Sequence, residues 1–212
     1  MAYTILIGGY NQSHFGGIQR VALRPDGTLE GLTGINGPMN PRFLAYDAPS
    51  RRVFSVSEAS GGAELCMLSL AGAEAAVRGR APFEGRGLCH VGLAPDARLV
   101  GGACFGSGDA TLFACKEAGF IREVFHRSYA EDGVISHPHC MCASPDGRYF
   151  YLVDLGRDCV ECIDCTSERP CERGRLPLYA GDGPRQLLFH PEQPVAWLVT
   201  EYSNVVYTLS YS

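Results

Sequence analysis

The residues best able to do chemistry fall into two sets, defined by their place along the chain. Arg42, His90, His139 and Arg185 each stand at the start of a short apolar run, while Glu58, Asp154 and Glu201 each follow a second one. A guanidinium grips phosphate or carboxylate oxygens with two parallel N–H donors and keeps its charge at any working pH. A carboxylate can take a proton from water, and an imidazole can pass one on near neutrality. Together these groups suit attack of water on a carbonyl, with a cation to hold an anionic part of the substrate. Partial burial would push the pKa of Glu201 up, whereas a neighbouring Arg185 would pull it down. Two plainer readings compete: Arg185 and Glu201 as an ion pair tying adjacent loops together, and His139 as a hydrogen-bonded loop imidazole.

Other chemistries fit less well. Gly8-Gly9 and Gly16-Gly17 have no following helix to aim its N-terminus at a phosphate, so they read as strand-end turns. No Gly-x-Ser-x-Gly elbow occurs, and no dense carboxylate cluster offers a calcium cage. Of the 10 Cys, four cluster at Cys159, Cys162, Cys165 and Cys171. Read as a strand, the first three alternate faces, which sets Cys162 apart from Cys159 and Cys165 and argues for small buried hydrophobes rather than a metal site. With no charged leader and no long apolar run at the start, the sequence predicts a cytoplasmic chain with reduced thiols. The net charge of -5 offers no basic face for nucleic acid.

What would position the candidate residues is a repeat. Pro49, Pro95, Pro145 and Pro191 recur at spacings of 46, 50 and 46 residues, each between two short apolar strands, which is the period of a propeller blade. The first strands run Arg42 to Tyr46, His90 to Leu93, His139 to Cys142 and Arg185 to Phe189. The second strands begin near Val53, Leu99, Tyr149 and Val195, and the third near Leu65, Thr111, Cys159 and Val205. In an up-and-down blade each strand reverses direction, so the start of the first strand and the exit of the second share one rim, with the Pro turns on the other. That parity predicts that Arg42, His90, His139 and Arg185 gather beside Glu58, Asp154 and Glu201. Three strands precede the first complete unit and three close the last. The expected fold is an all-β propeller domain over 1–212, with four-stranded antiparallel blades in an incomplete ring of about four to five. Open edges of such a ring invite self-association.

Four segments then carry a family likeness: Leu88-Cys89-His90-Val91; Pro138-His139-Cys140 with Ser144-Pro145-Asp146-Gly147-Arg148-Tyr149; Asp154-Leu155-Gly156-Arg157-Asp158; and Gly181-Asp182-Gly183-Pro184-Arg185-Gln186 through Phe189-His190-Pro191 to Thr200-Glu201-Tyr202-Ser203-Asn204. In order and spacing they resemble the seven-bladed lactonase family, which includes bacterial 6-phosphogluconolactonase and a fungal carboxymuconate-cyclising enzyme. The likeness covers nearly the whole chain and the first three-fifths or so of a typical member. It implies metal-free, cofactor-free hydrolysis of a phosphorylated or carboxylated sugar lactone, in carbohydrate metabolism and the pentose phosphate pathway. It also implies Glu201 as general base, Arg185 as anion clamp or oxyanion donor, and His139 as further donor or proton shuttle. His90, His137 and Asp154 are substrate-binding candidates. Departures are Gln186 where members usually have His, Phe105 where Tyr is common, and no counterpart of a later-blade Arg that completes the family's pocket. The alternatives are a non-catalytic, self-associating module and a carboxymuconate-cyclase-like enzyme. Asp158 is expected to cap a loop, His190 to be structural, and His14 and His126 to be ordinary surface residues.

Overall fold

A computed structural model of the chain describes residues 3–11, 17–59, 62–71, 75–131 and 133–211. His14 and Gly16 lie outside them. The described residues form eighteen strands in five antiparallel sheets, each built of strands consecutive in sequence. The first sheet is β1 (Tyr3–Gly8), β2 (Ile18–Leu23) and β3 (Leu29–Ile35). The second is β4 (Leu44–Asp47), β5 (Arg52–Ala59), β6 (Gly62–Ser69) and β7 (Ala76–Phe83). The third comprises β8 (Leu88–Leu93), β9 (Leu99–Cys104), β10 (Asp109–Lys116) and β11 (Gly119–Ser128). The fourth comprises β12 (Pro138–Ala143), β13 (Tyr149–Asp154), β14 (Cys159–Asp164) and β15 (Cys171–Pro177). The fifth is β16 (Pro184–Phe189), β17 (Val195–Thr200) and β18 (Val206–Ser210). This is the expected all-β propeller architecture: three four-stranded blades between two three-stranded sheets, in an incomplete ring. Among the described residues no helix is long and apolar enough to cross a membrane.

Each Pro turn joins the first two strands of its sheet. In the fourth sheet the Ser144 and Tyr149 backbones bond at 2.8 Å, Asp146 Oδ1 accepts from the Arg148 N–H at 3.0 Å, and Gly147 takes φ +70°. A left-handed residue is what such a turn needs, and glycine adopts it without steric cost.

The core lies between sheets rather than within them. Ile18, Val53 and Leu68 pack the first sheet on the second; Phe54, Leu65, Met67, Val91 and Val100 the second on the third. Leu112, Met141, Phe150 and Leu152 join the third to the fourth, and Cys140, Val153, Leu187 and Leu198 the fourth to the fifth. Apolar side chains on both faces of the inner strands explain their near-continuous hydrophobic runs. Where β8 meets β12 the backbones approach so closely that a Cβ on Gly92 would overlap the Met141 carbonyl oxygen. The strands farthest from the centre carry weaker sequence signals: every residue of β15 is exposed.

The Cys159–Asp164 strand forms as read from the sequence, with Cys159 buried and Cys162 half-buried. Cys171 is exposed, and no metal-holding cluster of three or more His, Cys, Asp or Glu occurs among the described residues.

Candidate active site

Three innermost strands begin with the same irregularity. The ladder between β8 and β9 pairs Leu88 with Cys104 and His90 with Ala103, skipping Cys89. That between β12 and β13 skips His139, and that between β16 and β17 skips Arg185. A one-residue bulge breaks the alternation of side chains and re-aims the extra residue. Two of the bulges follow a proline at the first strand position, where a missing N–H costs the ladder nothing. The same backbone bond closes each motif: Phe105 N–H to Gly87 O at 3.0 Å, Leu155 to His137 at 3.0 Å, and Glu201 to Gly183 at 2.7 Å. Cys89, His139 and Arg185 are therefore equivalent ring positions, and Phe105, Leu155 and Glu201 are their partners one strand over.

This register corrects two sequence assignments. His90 sits one residue past its bulge, where Cys140 and Gln186 stand in the next sheets, and it is buried. Its Nδ1 accepts from the Met141 N–H at 3.3 Å, its ring lies 4.0 Å from that of Phe43, and its Nε2 is 3.4 Å from Gln186 Nε2. It knits blades together rather than standing at the rim. Asp154 sits one residue before its expected place and is fully buried. It accepts from Ser136 Oγ at 2.6 Å and from the backbone N–H groups of His137, Gly156 and Arg157 at 2.8, 3.1 and 3.2 Å. Its lone pairs are spent on holding the loop that carries His137 and His139.

Arg185 and Glu201 meet in an ion pair at the rim, Nη1 to Oε2, with side chains 48% and 39% exposed. The loop before Arg185 is built to hold it there. Asp158, itself at φ 49°, accepts from the N–H groups of Gly181 and Gly183 at 2.8 and 2.7 Å, which is the capping role expected of it. Asp182 accepts from Tyr207 Oη at 2.6 Å, a bond that holds its carboxyl below the usual range, and from the Tyr179 N–H at 3.2 Å. Gly183 adopts φ +60°, and a Cβ there would lie 2.5 Å from the Tyr202 ring.

His139 is half-buried, edge-on to Phe105 at 5.9 Å between ring centres. Burial first, then the nearby Arg185 charge, lowers its pKa below the ordinary imidazole value. That shift favours the neutral ring, one nitrogen a donor and the other an acceptor, and among the described residues its buried Nδ1 has no partner. His137 stacks on the same Phe105 at 4.3 Å, with Nδ1 2.8 Å from the Phe105 carbonyl oxygen. Its free capacity is correspondingly small. His190 Nδ1 accepts from the Glu192 and Gln193 N–H groups, both at 3.0 Å, within the opposite turn. His126 is more than a surface residue: Asp109 and Glu123 carboxylates lie 3.5 and 3.4 Å from its ring nitrogens.

Sequence reasoning left one feature of the rim out of the site. Arg42 Nη2 donates to Glu58 Oε1 at 2.6 Å, and Asn40 Nδ2 to Glu58 Oε2 at 2.8 Å. Its signal was present, since both Arg–Glu pairs are 16 residues apart.

These geometric features coincide with a family match along almost the entire chain: the model of the lactonase, seven-bladed β-propeller family fits residues 4–212. The chain belongs to this lactonase family. An uncharacterised protein of Lactococcus lactis is 27% identical across 100% of this chain and 64% of its own length. The 6-phosphogluconolactonase of Bacillus subtilis is 26% identical across 82% of this chain and 52% of itself. Among solved structures, a periplasmic gluconolactonase of Pseudomonas aeruginosa superposes with a TM-score of 0.88 at 22% identity, covering 100% of this chain and 65% of that one. The chain thus spans less than two-thirds of the length of these relatives.

Proposed function

We propose that this chain carries the hydrolytic rim of a sugar lactonase acting on a phosphorylated sugar δ-lactone of the 6-phosphogluconolactone type. The observation that carries the reading is the bulge at Arg185, which turns a half-exposed guanidinium onto Glu201 beside a neutral His139. Membership of the lactonase family and the likeness to a 6-phosphogluconolactonase support it.

In this mechanism the Glu201 carboxylate takes a proton from water as the water oxygen bonds to the lactone carbonyl carbon. Arg185 then holds the resulting oxyanion. Collapse of the tetrahedral intermediate breaks the bond from that carbon to the ring oxygen. The leaving oxygen takes the proton now on Glu201, relayed through His139, whose acceptor nitrogen receives it as its N–H gives one up. The ion pair must open to admit substrate, which costs little, because an exposed Arg–Glu pair contributes only about 0–1 kcal/mol. Hydrolysis of 6-phosphogluconolactone followed by proton release tests this. Glu201→Gln should open the lactone about 10² to 10³ times more slowly than wild type, the range for loss of one key polar group at such a site. Equal rates above the spontaneous background would refute the assignment.

A second reading draws on the outer face of the last sheet, where Leu188 and Val206 are exposed beside Trp197 and Val199. That face suits self-association. Light scattering showing a monomer at all concentrations would remove it.

A further inference from the structure

We infer that Arg42, paired with Glu58, forms a second anion-binding pole of the same funnel and selects lactones that carry a charged group remote from the reacting carbonyl. This rests on the proposed role of Arg185 and Glu201 and extends it to substrate choice.

The argument begins with the repeat. The Val56 N–H bonds to the Phe43 carbonyl oxygen at 3.2 Å and that of Glu58 to Met39 at 3.1 Å. Phe43 thus pairs with Val56 as Gln186 does with Val199, so Arg42 and Glu58 hold in the second sheet the places of Arg185 and Glu201 in the fifth, with one more residue between Met39 and Arg42 than between Gly183 and Arg185. The two sheets between them present Cys89 with Phe105, and His139 with Leu155, at those places. Among these four equivalent positions only the outer two carry a guanidinium facing a carboxylate.

The residues that follow the two arginines meet at one ring. Phe43 follows Arg42 and Gln186 follows Arg185, and both reach the His90 imidazole, at 4.0 Å between rings and 3.4 Å between nitrogens respectively. A single buried ring thus spans the distance between the residues next to the two arginines, with His139 on the arc between them. A ligand held at one pole by its lactone group would extend its other end toward the second.

Arg42 also has unspent capacity. Nη1 donates to Tyr10 Oη at 3.1 Å and Nη2 to Glu58 and to the Leu88 carbonyl oxygen at 3.1 Å. The guanidinium lies over the Tyr10 ring at 5.2 Å, and its side chain is 24% exposed. Among the described residues its buried Nε–H has no partner. A guanidinium has five donors, so the second Nη1 hydrogen remains for an anion at the exposed side of the group.

The test is calorimetric titration of the full chain with 6-phosphogluconate and, separately, gluconate, the products with and without the remote charge. Wild type should bind the phosphorylated acid about tenfold or more tightly, the scale of one charge-assisted contact. Arg42→Met should erase that preference and leave gluconate binding unchanged, whereas Arg185→Met should weaken both. If Arg42→Met keeps the preference while Arg185→Met loses both ligands, the second pole is wrong and the proposed hydrolytic site stands. If Arg185→Met binds both as wild type does, or wild type binds neither, the hydrolytic site itself fails and the second pole with it. Should Arg42→Met not fold, Arg42→Lys gives the reading: a preference reduced several-fold supports the inference, and an unchanged one overturns it.

Discussion

Two arginine–carboxylate pairs in this molecule have the same chemistry and opposite fates. At the Pro-turn rim, Arg52 meets Asp47 at 2.9 Å with both side chains less than a tenth exposed, 8% and 9%. Every part of its guanidinium is used: Nε donates to Ser50 Oγ at 2.6 Å, Nη2 to Asp47, and Nη1 to the Lys116 carbonyl oxygen at 2.9 Å in the next sheet. Burial raises the Asp47 pKa, but the bonds from Ser50 and Arg52 outweigh it and leave the carboxyl below its ordinary value. At the opposite rim, the half-exposed Arg185 has Glu201 as its bonded carboxylate partner, on a backbone kinked to present it. The first pair fastens two blades; in the proposed function the second exchanges its partner for a ligand. Saturation and burial, not the presence of an ion pair, separate a staple from a site.

That contrast can be broken by substitution. Arg52→Met leaves Asp47 charged and buried, so it should lower unfolding stability by about 3–5 kcal/mol, read from the urea midpoint. Arg185→Met should change stability by no more than about 1 kcal/mol while removing lactone opening and ligand binding. Equal stability losses would erase the distinction drawn here. Gly183→Ala puts a Cβ against the Tyr202 ring at φ +60°. It should cost about 1–3 kcal/mol of local stability and slow lactone opening by displacing Arg185, both measurable on one preparation.

The smallest expected effect is a titration. His139 has a lowered pKa in the folded protein. Its contribution to stability is therefore complete above the ordinary imidazole value and lost as pH falls from there toward the folded value, since the unfolded chain takes the proton first. Arg185→Met should raise the His139 midpoint followed by NMR. A midpoint that does not move would place the two groups too far apart to act together.

The turns that set the blades were legible because Pro49, Pro95, Pro145 and Pro191 punctuate short apolar runs at a near-constant spacing. The last strand of each blade was not, since β15 is exposed throughout and carries no two-residue period. At the rim, Arg185, Glu201 and His139 could be placed together by strand parity alone. His90 and Asp154 could not be assigned correctly, because a bulge displaces the register by one residue and leaves no composition of its own. One residue is enough to turn a rim side chain into a buried one. The Arg42–Glu58 pair was readable from its spacing, which repeats that of Arg185 and Glu201.

The most direct test is an NMR titration of the folded chain with 6-phosphogluconate, following arginine Nε–Hε and histidine ring signals together. Saturable shifts at Arg185 and His139, with Arg52 unmoved, are the predicted result. Shifts confined to Arg52, or none at Arg185 and His139 at ligand concentrations that perturb other signals, would contradict it.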